Sequence, residues 1–437
     1  MNTKKYLMLC CFLHFAILLT AQSTMPVSMD EVLKKAEAHN TSLQISNEDV
    51  NRAKADYAQT NAVLLPNITV SHTGFATTNP LMAFGSKLNQ EILTQGDFNP
   101  VLLNDPDQIE NFATRIEVQQ PLINVDGIYQ RKAARVKIEA AKLQSERAKD
   151  YIHLEVTNAY MQLQLAYKAV DVLQKALLAA RENSTLANHR YEQGLLQKAD
   201  VLITEVRVTE VANQLQNARS TVGNVSNYLS YLMNEKTDVL LIPTDSLNII
   251  GKTNDNILMV SQDRADIKAM QLATDAYKNN HKADQMAFLP KLNAFGSYEM
   301  YDSNLFQTGA NGYLFGAQLS WNILEGTKRF GKARKSKAEY EKSRLQLNEY
   351  ISKSKLELQK ATRSLEDAEN NVALTQLGLQ QSEESLRIRT NRFKEGLEKT
   401  SDLLSSETLY AQKQLEYYQA IYQHNYALAY LKFLTKE

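Results

Sequence analysis

The chain has 437 residues, with 49 Lys and Arg against 49 Asp and Glu, so its formal charge is zero and nothing in its electrostatics calls for a nucleic-acid partner. The length allows two or three ordinary domains, each with a sizeable core. Only 15 glycines and 8 prolines punctuate it, while Gln, Ala, Leu, Lys, Glu and Ser dominate, the bias of a chain built mostly of long helices.

The N-terminus reads as a secretory signal. Lys4 and Lys5 form a basic region, LMLCCFLHFAILL an apolar one, and LTA before Gln22 a cleavage site, so residues 1–21 are expected to be a signal peptide. Both cysteines, Cys10 and Cys11, fall inside it, with too little hydrophobic sequence ahead of them for a lipoprotein site. The mature chain is then expected to carry no disulfide and no thiolate chemistry. No later run reaches the roughly eighteen apolar residues of a spanning helix. A membrane segment in such a chain has to be made of strands.

A first helix is expected over about 29–63, starting at Ser28 or Asp30 and stopping before Pro66. At about 67–75 the period drops to two: Ile68, Val70 and His72 alternate with Thr69, Ser71 and Thr73. A second strand is expected over about 112–122, where Phe112, Thr114, Ile116 and Val118 oppose Ala113, Arg115, Glu117 and Gln119. The segment between them, ATTNPLMAFGSKLNQEILTQGDFNPVLLNDPDQ, is rich in turn residues and reads as a surface loop.

From about 128 to 189 the period is helical, without proline or glycine, which makes a rod about 90 Å long. Ile152, Ala159, Ala166, Leu173, Ala180 and Ala187 recur every seven residues, and Val156, Leu163, Val170 and Leu177 form an offset series. A two-stranded coiled coil needs one seam; two seams call for neighbours on two sides, as in a sheet or tube of helices. The next helix repeats the pattern, with Val201, Val208, Leu215, Val222 and Leu229 beside Val211, Ala218, Val225 and Leu232.

Residues 234–261 read as a small mixed connector, after which the order restarts. A helix over about 262–287 runs into FLPKL, the counterpart of LLPNI at 64–68. Strands follow at about 291–301 and 313–322, then a second rod at about 327–391, and a last helix to about 434. In the first strand of this pair Leu292, Ala294, Gly296, Tyr298 and Met300 lie on one side, and in the second Tyr313, Phe315, Ala317, Leu319 and Trp321 oppose Gln318, Ser320 and Asn322. Tyr298, Tyr313 and Trp321 are therefore the expected membrane-interface aromatics. The corner RYEQGLLQKADVL at 190–202 returns as RFKEGLEKTSDLL at 392–404. The chain reads as two repeats, 22–233 and 262–437, around the connector. Each strand, at about ten residues, is long enough to cross a bilayer at a tilt. Four strands cannot close a barrel and an open edge in lipid is forbidden, so a membrane role compels oligomerisation.

With these elements assembled, the chain resembles the TolC-like outer membrane efflux proteins, from about Asp30 to about Leu434. The most specific marks are the repeated R-[YF]-x-x-G-x5-D-[VL]-L corners, LLPNI and FLPKL before the strands, and QPLINVDG and SWNILEG after them. The resemblance implies a mostly α protein with membrane β-strands: a homotrimer whose twelve-strand outer-membrane barrel joins a coiled-coil helical tunnel in the periplasm. It also implies the connector in an equatorial belt, a periplasmic adaptor and an inner-membrane pump as partners, and outer-membrane lipid around the barrel. The activity implied is passive conduction for a tripartite efflux or type I secretion system.

Gly194 and Gly396 are placed to end their helices in the left-handed conformation. The resemblance implies that Leu195 and Leu397, just beyond, contact the adaptor; packing of the turn is the plainer reading of the same leucines. Asp200 and Asp402 suit first-turn acids of the following helices. The resemblance also places them at the narrow periplasmic entrance, with Tyr191 and Phe393. Three positions depart from the best-studied member; at the first two a tyrosine is replaced by Phe393 and an arginine after the glycine by Glu398. A second acid after Asp402 is replaced by Ser405, so any entrance latch is expected to be built differently.

An enzyme is disfavoured. No histidines stand at metal-ligand spacing, and there is no phosphate loop, nucleophile elbow or mature thiol, so no catalytic residue, metal or cofactor is expected. The competing reading is a periplasmic coiled-coil adaptor or scaffold without a channel.

Overall fold

The computed structural model describes residues 24–236, 238–251 and 259–436. The expected signal peptide lies outside the described residues, as do 237 and 252–258 of the expected connector. In chain order the elements are β1 (Thr24–Val27), α1 (Met29–His39), α2 (Thr41–Gln59), β2 (Asn67–Thr77), α3 (Pro80–Asn89), α4 (Pro100–Asn104), β3 (Ile109–Ile123), α5 (Val125–Glu192) and α6 (Lys198–Leu232). There follow β4 (Leu240–Pro243), α7 (Ala265–Met286), β5 (Lys291–Asp302), β6 (Ala310–Ser320), α8 (Lys328–Lys394) and α9 (Thr400–Thr435). Helix, strand, strand, rod, corner, helix thus occurs twice. No described helix is long and apolar enough to cross a membrane.

Contacts divide the chain into two units that cut across this duplication. One comprises residues up to Glu48, 143–268 and 349 onward; the other comprises 49–142 and 269–348. In the first unit the seven-residue series of α5 does what its spacing demands. Ile152, Ala159, Ala166, Leu173, Ala180 and Ala187 are all buried. Val156 and Leu163, from the offset series, pack with Val32 and Ala36 of α1, Leu229 and Leu232 of α6, and Leu241 of β4. Farther along, Leu173 and Leu177 meet Val211 and Leu215, while Leu358 and Leu365 of α8 meet Leu428, Leu431 and Leu434 of α9. Alanine at four of these six positions of α5, 159, 166, 180 and 187, keeps the crossing close and the side chains in one layer.

Three expectations change. The helix expected over 29–63 is broken at Asn40, which ends α1 through its own N–H to Ala36 O and starts α2 by accepting from Ser42 N at 2.9 Å. Its amide also donates to Leu232 O at 2.8 Å, satisfying a buried carbonyl at the end of α6. The break therefore serves a tertiary bond. The surface loop expected between β2 and β3 is folded: Asn79 and Asn99 cap α3 and α4, each followed by a proline in the first turn. The connector contains β4, which pairs in parallel with β1 from Thr24↔Leu240 to Val27↔Pro243. A four-residue strand is too short for its period to show.

A polar node ties four elements of the first unit together. Arg264, 2% exposed, donates to Leu434 O (3.0 Å), Ser354 Oγ (2.8 Å) and Asp266 Oδ1 (2.7 Å). Asp266 also accepts from Tyr350 at 2.7 Å and pairs with Arg147 at 3.1 Å. Arg147 donates to Phe433 O (3.0 Å) and lies 3.6 Å over the Phe433 ring. Burial alone would raise the Asp266 carboxyl, but the bonds from Arg264 and Tyr350 and the charge of Arg147 outweigh it and hold it below its ordinary value. Two arginines so bind the last carbonyls of α9, which no helical amide can reach. Arg264→Ala leaves Asp266 and Leu434 O short of a donor, and is expected to cost about 3–5 kcal/mol in detergent unfolding. Arg264→Lys should recover only part of this, because one ammonium cannot serve three acceptors on separate elements.

Candidate functional site

In the second unit the strands form one antiparallel sheet in the order β2-β3-β5-β6. The register aligns the alternating patterns of all four. Ile68 faces Val118, which faces Gly296, which faces Phe315; Val70, Ile116, Tyr298 and Tyr313 form the adjacent row. Residues opposite one another point to the same side, so these rows make a single apolar face. It is uncovered: Tyr313 and Phe315 are each 77% exposed and Val70 67%. The other face carries Thr69, Ser71, Glu117, Ser297 and the ion pair of Arg115 with Glu299 at 2.6 Å, with Phe295 and Leu314 as apolar exceptions. β2 and β6 are open edges. Tyr298 and Tyr313 stand directly opposite each other; Trp321 lies one residue past β6, half exposed, with its indole N–H donating to Phe288 O at 3.0 Å.

In the first unit the two corners share a backbone geometry. Gly194 and Gly396 have φ of +74° and +76°. Each glycine N–H donates three residues back, to Tyr191 O and Phe393 O, at 2.9 Å. The following amides, of Leu195 and Leu397, reach Arg190 O (2.8 Å) and Arg392 O (2.9 Å). This paired bonding is the Schellman cap, which needs a left-handed residue at the glycine position. Leu195 and Leu397 emerge 69% and 67% exposed, so neither packs its turn. Asp200 and Asp402 are the third residues of α6 and α9. Asp200 accepts from Gln197 N at 3.4 Å, in the first-turn role that its position predicts.

The family profile described as outer membrane efflux protein matches residues 32–235 and 257–435. The chain belongs to the outer membrane efflux protein family. Its fold is similar to that of the CmeC outer membrane channel of Campylobacter jejuni, at 15% identity and a TM-score of 0.78 over 93% of this chain and 85% of that one. It is similar to VceC of Vibrio cholerae, at 18% identity and 0.76 over 92% and 95%. The open-state MtrE channel of Neisseria gonorrhoeae matches at 17% identity and 0.75 over 93% and 88%. No curated protein sequence matches the chain.

The corners of this efflux protein differ in their side chains. Tyr191 is exposed, whereas Phe393 is 2% exposed, with the Arg190 guanidinium 4.7 Å from its ring centroid. Arg190 also donates to Lys394 O at 2.9 Å, so the first corner holds the second. Glu398 is clamped by Arg389 (2.7 Å) and Arg392 (2.8 Å), and Asp402 lies 3.9 Å from the same Arg389. The departures Phe393 and Glu398 are therefore each paired within the chain. Of the named residues, the structure leaves Leu195, Leu397 and Tyr191 open to solvent and encloses Phe393.

About two turns behind the corners is a group that the sequence reading passed over. Glu407 of α9 accepts a hydrogen bond from Asn183 of α5 and sits near Arg207 of α6, itself 8% exposed. Arg207 is a charged residue within the buried stripe Thr204–Val211, and Glu407 is a half-buried one within the stripe Leu403–Ala411. A charge on such a stripe was the signal available. Burial pushes the Glu407 carboxyl up to about 7, and the Arg207 charge and the Asn183 bond only partly oppose it. Between its ordinary 4.5 and about 7 the folded chain holds this proton more tightly than the unfolded one, so stability falls as pH rises through that window. Glu407→Gln keeps an acceptor for Asn183 without the charge. It is expected to raise unfolding free energy at about pH 8 by on the order of 2 kcal/mol and to flatten the pH dependence below it, by chemical denaturation at several pH values.

Proposed function

We propose that this efflux protein is the outer-membrane channel of a tripartite export assembly, a homotrimer that conducts cargo passively from a periplasmic adaptor and an inner-membrane pump to the outside. The observation that carries this reading is the sheet: one exposed apolar face, one polar face and two open edges. In hydrocarbon each backbone amide needs a partner, so β2 of one copy pairs with β6 of the next until the sheet closes. Three copies supply twelve strands, with the apolar face to lipid and the Arg115–Glu299 face to water.

The rods support the same reading. Leu356, Leu374, Leu377 and Ile388 of α8 are all exposed, and spacings of 18, 3 and 11 residues keep them on one face at 100° per residue. A long apolar stripe on a charged helix is suited to a neighbouring copy. At the corners, Leu195 and Leu397 offer apolar tips to an adaptor hairpin. Asp200 and Asp402 line the periplasmic entrance, with Arg389 and Glu398 modulating the second acid.

Two experiments test this. The protein should stay in washed membranes through high salt and carbonate and leave only with detergent; release by carbonate would favour the periplasmic scaffold and end the channel reading. Leu195→Asp combined with Leu397→Asp alters only exposed tips. It should abolish adaptor co-purification and export while the thermal midpoint stays within about 2 °C of wild type, as for surface substitutions. Undiminished adaptor capture would move docking away from the corners.

A further inference from the structure

We propose that residues 78–108 form an outer lid, a folded strap that narrows the external mouth of the channel and presents apolar side chains to its opening. The inference rests on the channel reading above.

The two strand pairs of a duplicated chain are joined very differently. β5 and β6 are connected by residues 303–309, close to the ordinary length for a hairpin, while β2 and β3 are connected by 78–108. The longer connection is built as structure. Besides the two Asn-Pro helix starts, Thr94 N donates to Asp97 at 2.7 Å, Lys87 pairs with Asp97 at 2.8 Å, and Phe84 meets Phe98 edge-on at 5.7 Å. The strap is also anchored. Gln90, 5% exposed, donates to Asn111 Oδ1 and Glu110 O, both at 2.9 Å, and lies 3.4 Å from Asp302 O.

The anchor decides which side the strap covers. Asn111 pairs with Phe75 across from β2 and alternates in step with Ala113, Arg115 and Glu117, so its side chain belongs to the polar face. Ala83 and Ser86 are buried on the same helical stripe as Gln90, which lays α3 against the end of that face. In a closed barrel the polar face surrounds the water path. These strand ends are those away from the connections to α2 and α5, hence the external ends.

The strap's outward surface is apolar. Leu81 is 81% exposed, Val101 72%, Phe98 58% and Leu88 55%. A hairpin tip facing bulk water has no use for such a surface, whereas an apolar constriction resists wetting and gates a pore without a charged latch.

Thiol labelling of intact cells reads the outer mouth without involving the periplasmic end. Ser71→Cys places a thiol on the polar face below the strap, and Asn304→Cys places one in the short loop at the same end; the chain with neither is the blank. With the strap intact, a bulky polyethylene-glycol maleimide should label Ser71→Cys roughly tenfold more slowly than Asn304→Cys. Replacing residues 80–104 by a short Gly-Ser turn should remove most of that difference. Leu81→Asp with Val101→Asp, which changes only exposed side chains, should speed entry of a small charged thiol reagent. Equal labelling of the two positions in the intact chain, or rates indifferent to both strap variants, would overturn the lid. If Asn304→Cys is not labelled from outside, the orientation is wrong and the channel reading falls with the inference.

Discussion

A backbone amide inside a bilayer has no water to bond, and that constraint governs this protein more than any side chain does. The sheet has four strands and two open edges, and in the assembly proposed above further copies would supply the partners those edges lack. The alternation along each strand gives the sheet one apolar and one polar face, the arrangement that the proposed barrel would turn to lipid and to water. Register enforces it, because a slip of one residue in β3 would turn Arg115 and Glu117 to the side of Val70 and Tyr313.

The helices of the first unit pose a different problem, that of packing long elements side by side along their length. Alanines at seven-residue intervals let α5 approach its neighbours closely, and polar residues are admitted where they hold a chain end. The Arg264–Asp266–Arg147 node is the clearest case, because it supplies donors to the last carbonyls of α9 while each of its own charges stays paired. Buried ion pairs add little stability over apolar packing. Their value here is specificity, since only one seating of α9 brings Phe433 O and Leu434 O to the two arginines.

The two copies of the element order share backbone geometry at their corners and differ in their side chains. Both corners keep the same cap, with matching bonds and matching glycine dihedrals. Around that frame the first corner carries an exposed Tyr191 and the second a buried Phe393 under Arg190, with Glu398 between two arginines. The strand connections differ more, one being a short loop and the other a folded, anchored strap.

Sequence alone determined what periodicity and local chemistry encode. The period of two located the membrane strands, the period of seven located the buried stripe of α5, and a repeated glycine located both corners. Those signals are local, so they survive without knowledge of partners. Tertiary structure decided what depends on residues far apart in the chain. Asn40 breaks a helix because Leu232 O needs a donor, β4 exists because β1 lies beside it, and Gln90 lays the strap on one face through Asn111. Phe393 is enclosed because Arg190, two hundred positions earlier, reaches across to it. The physical reason is common to all four: a buried polar group or ring takes its place from whatever partner the fold brings to it, and no spacing within the segment records that partner.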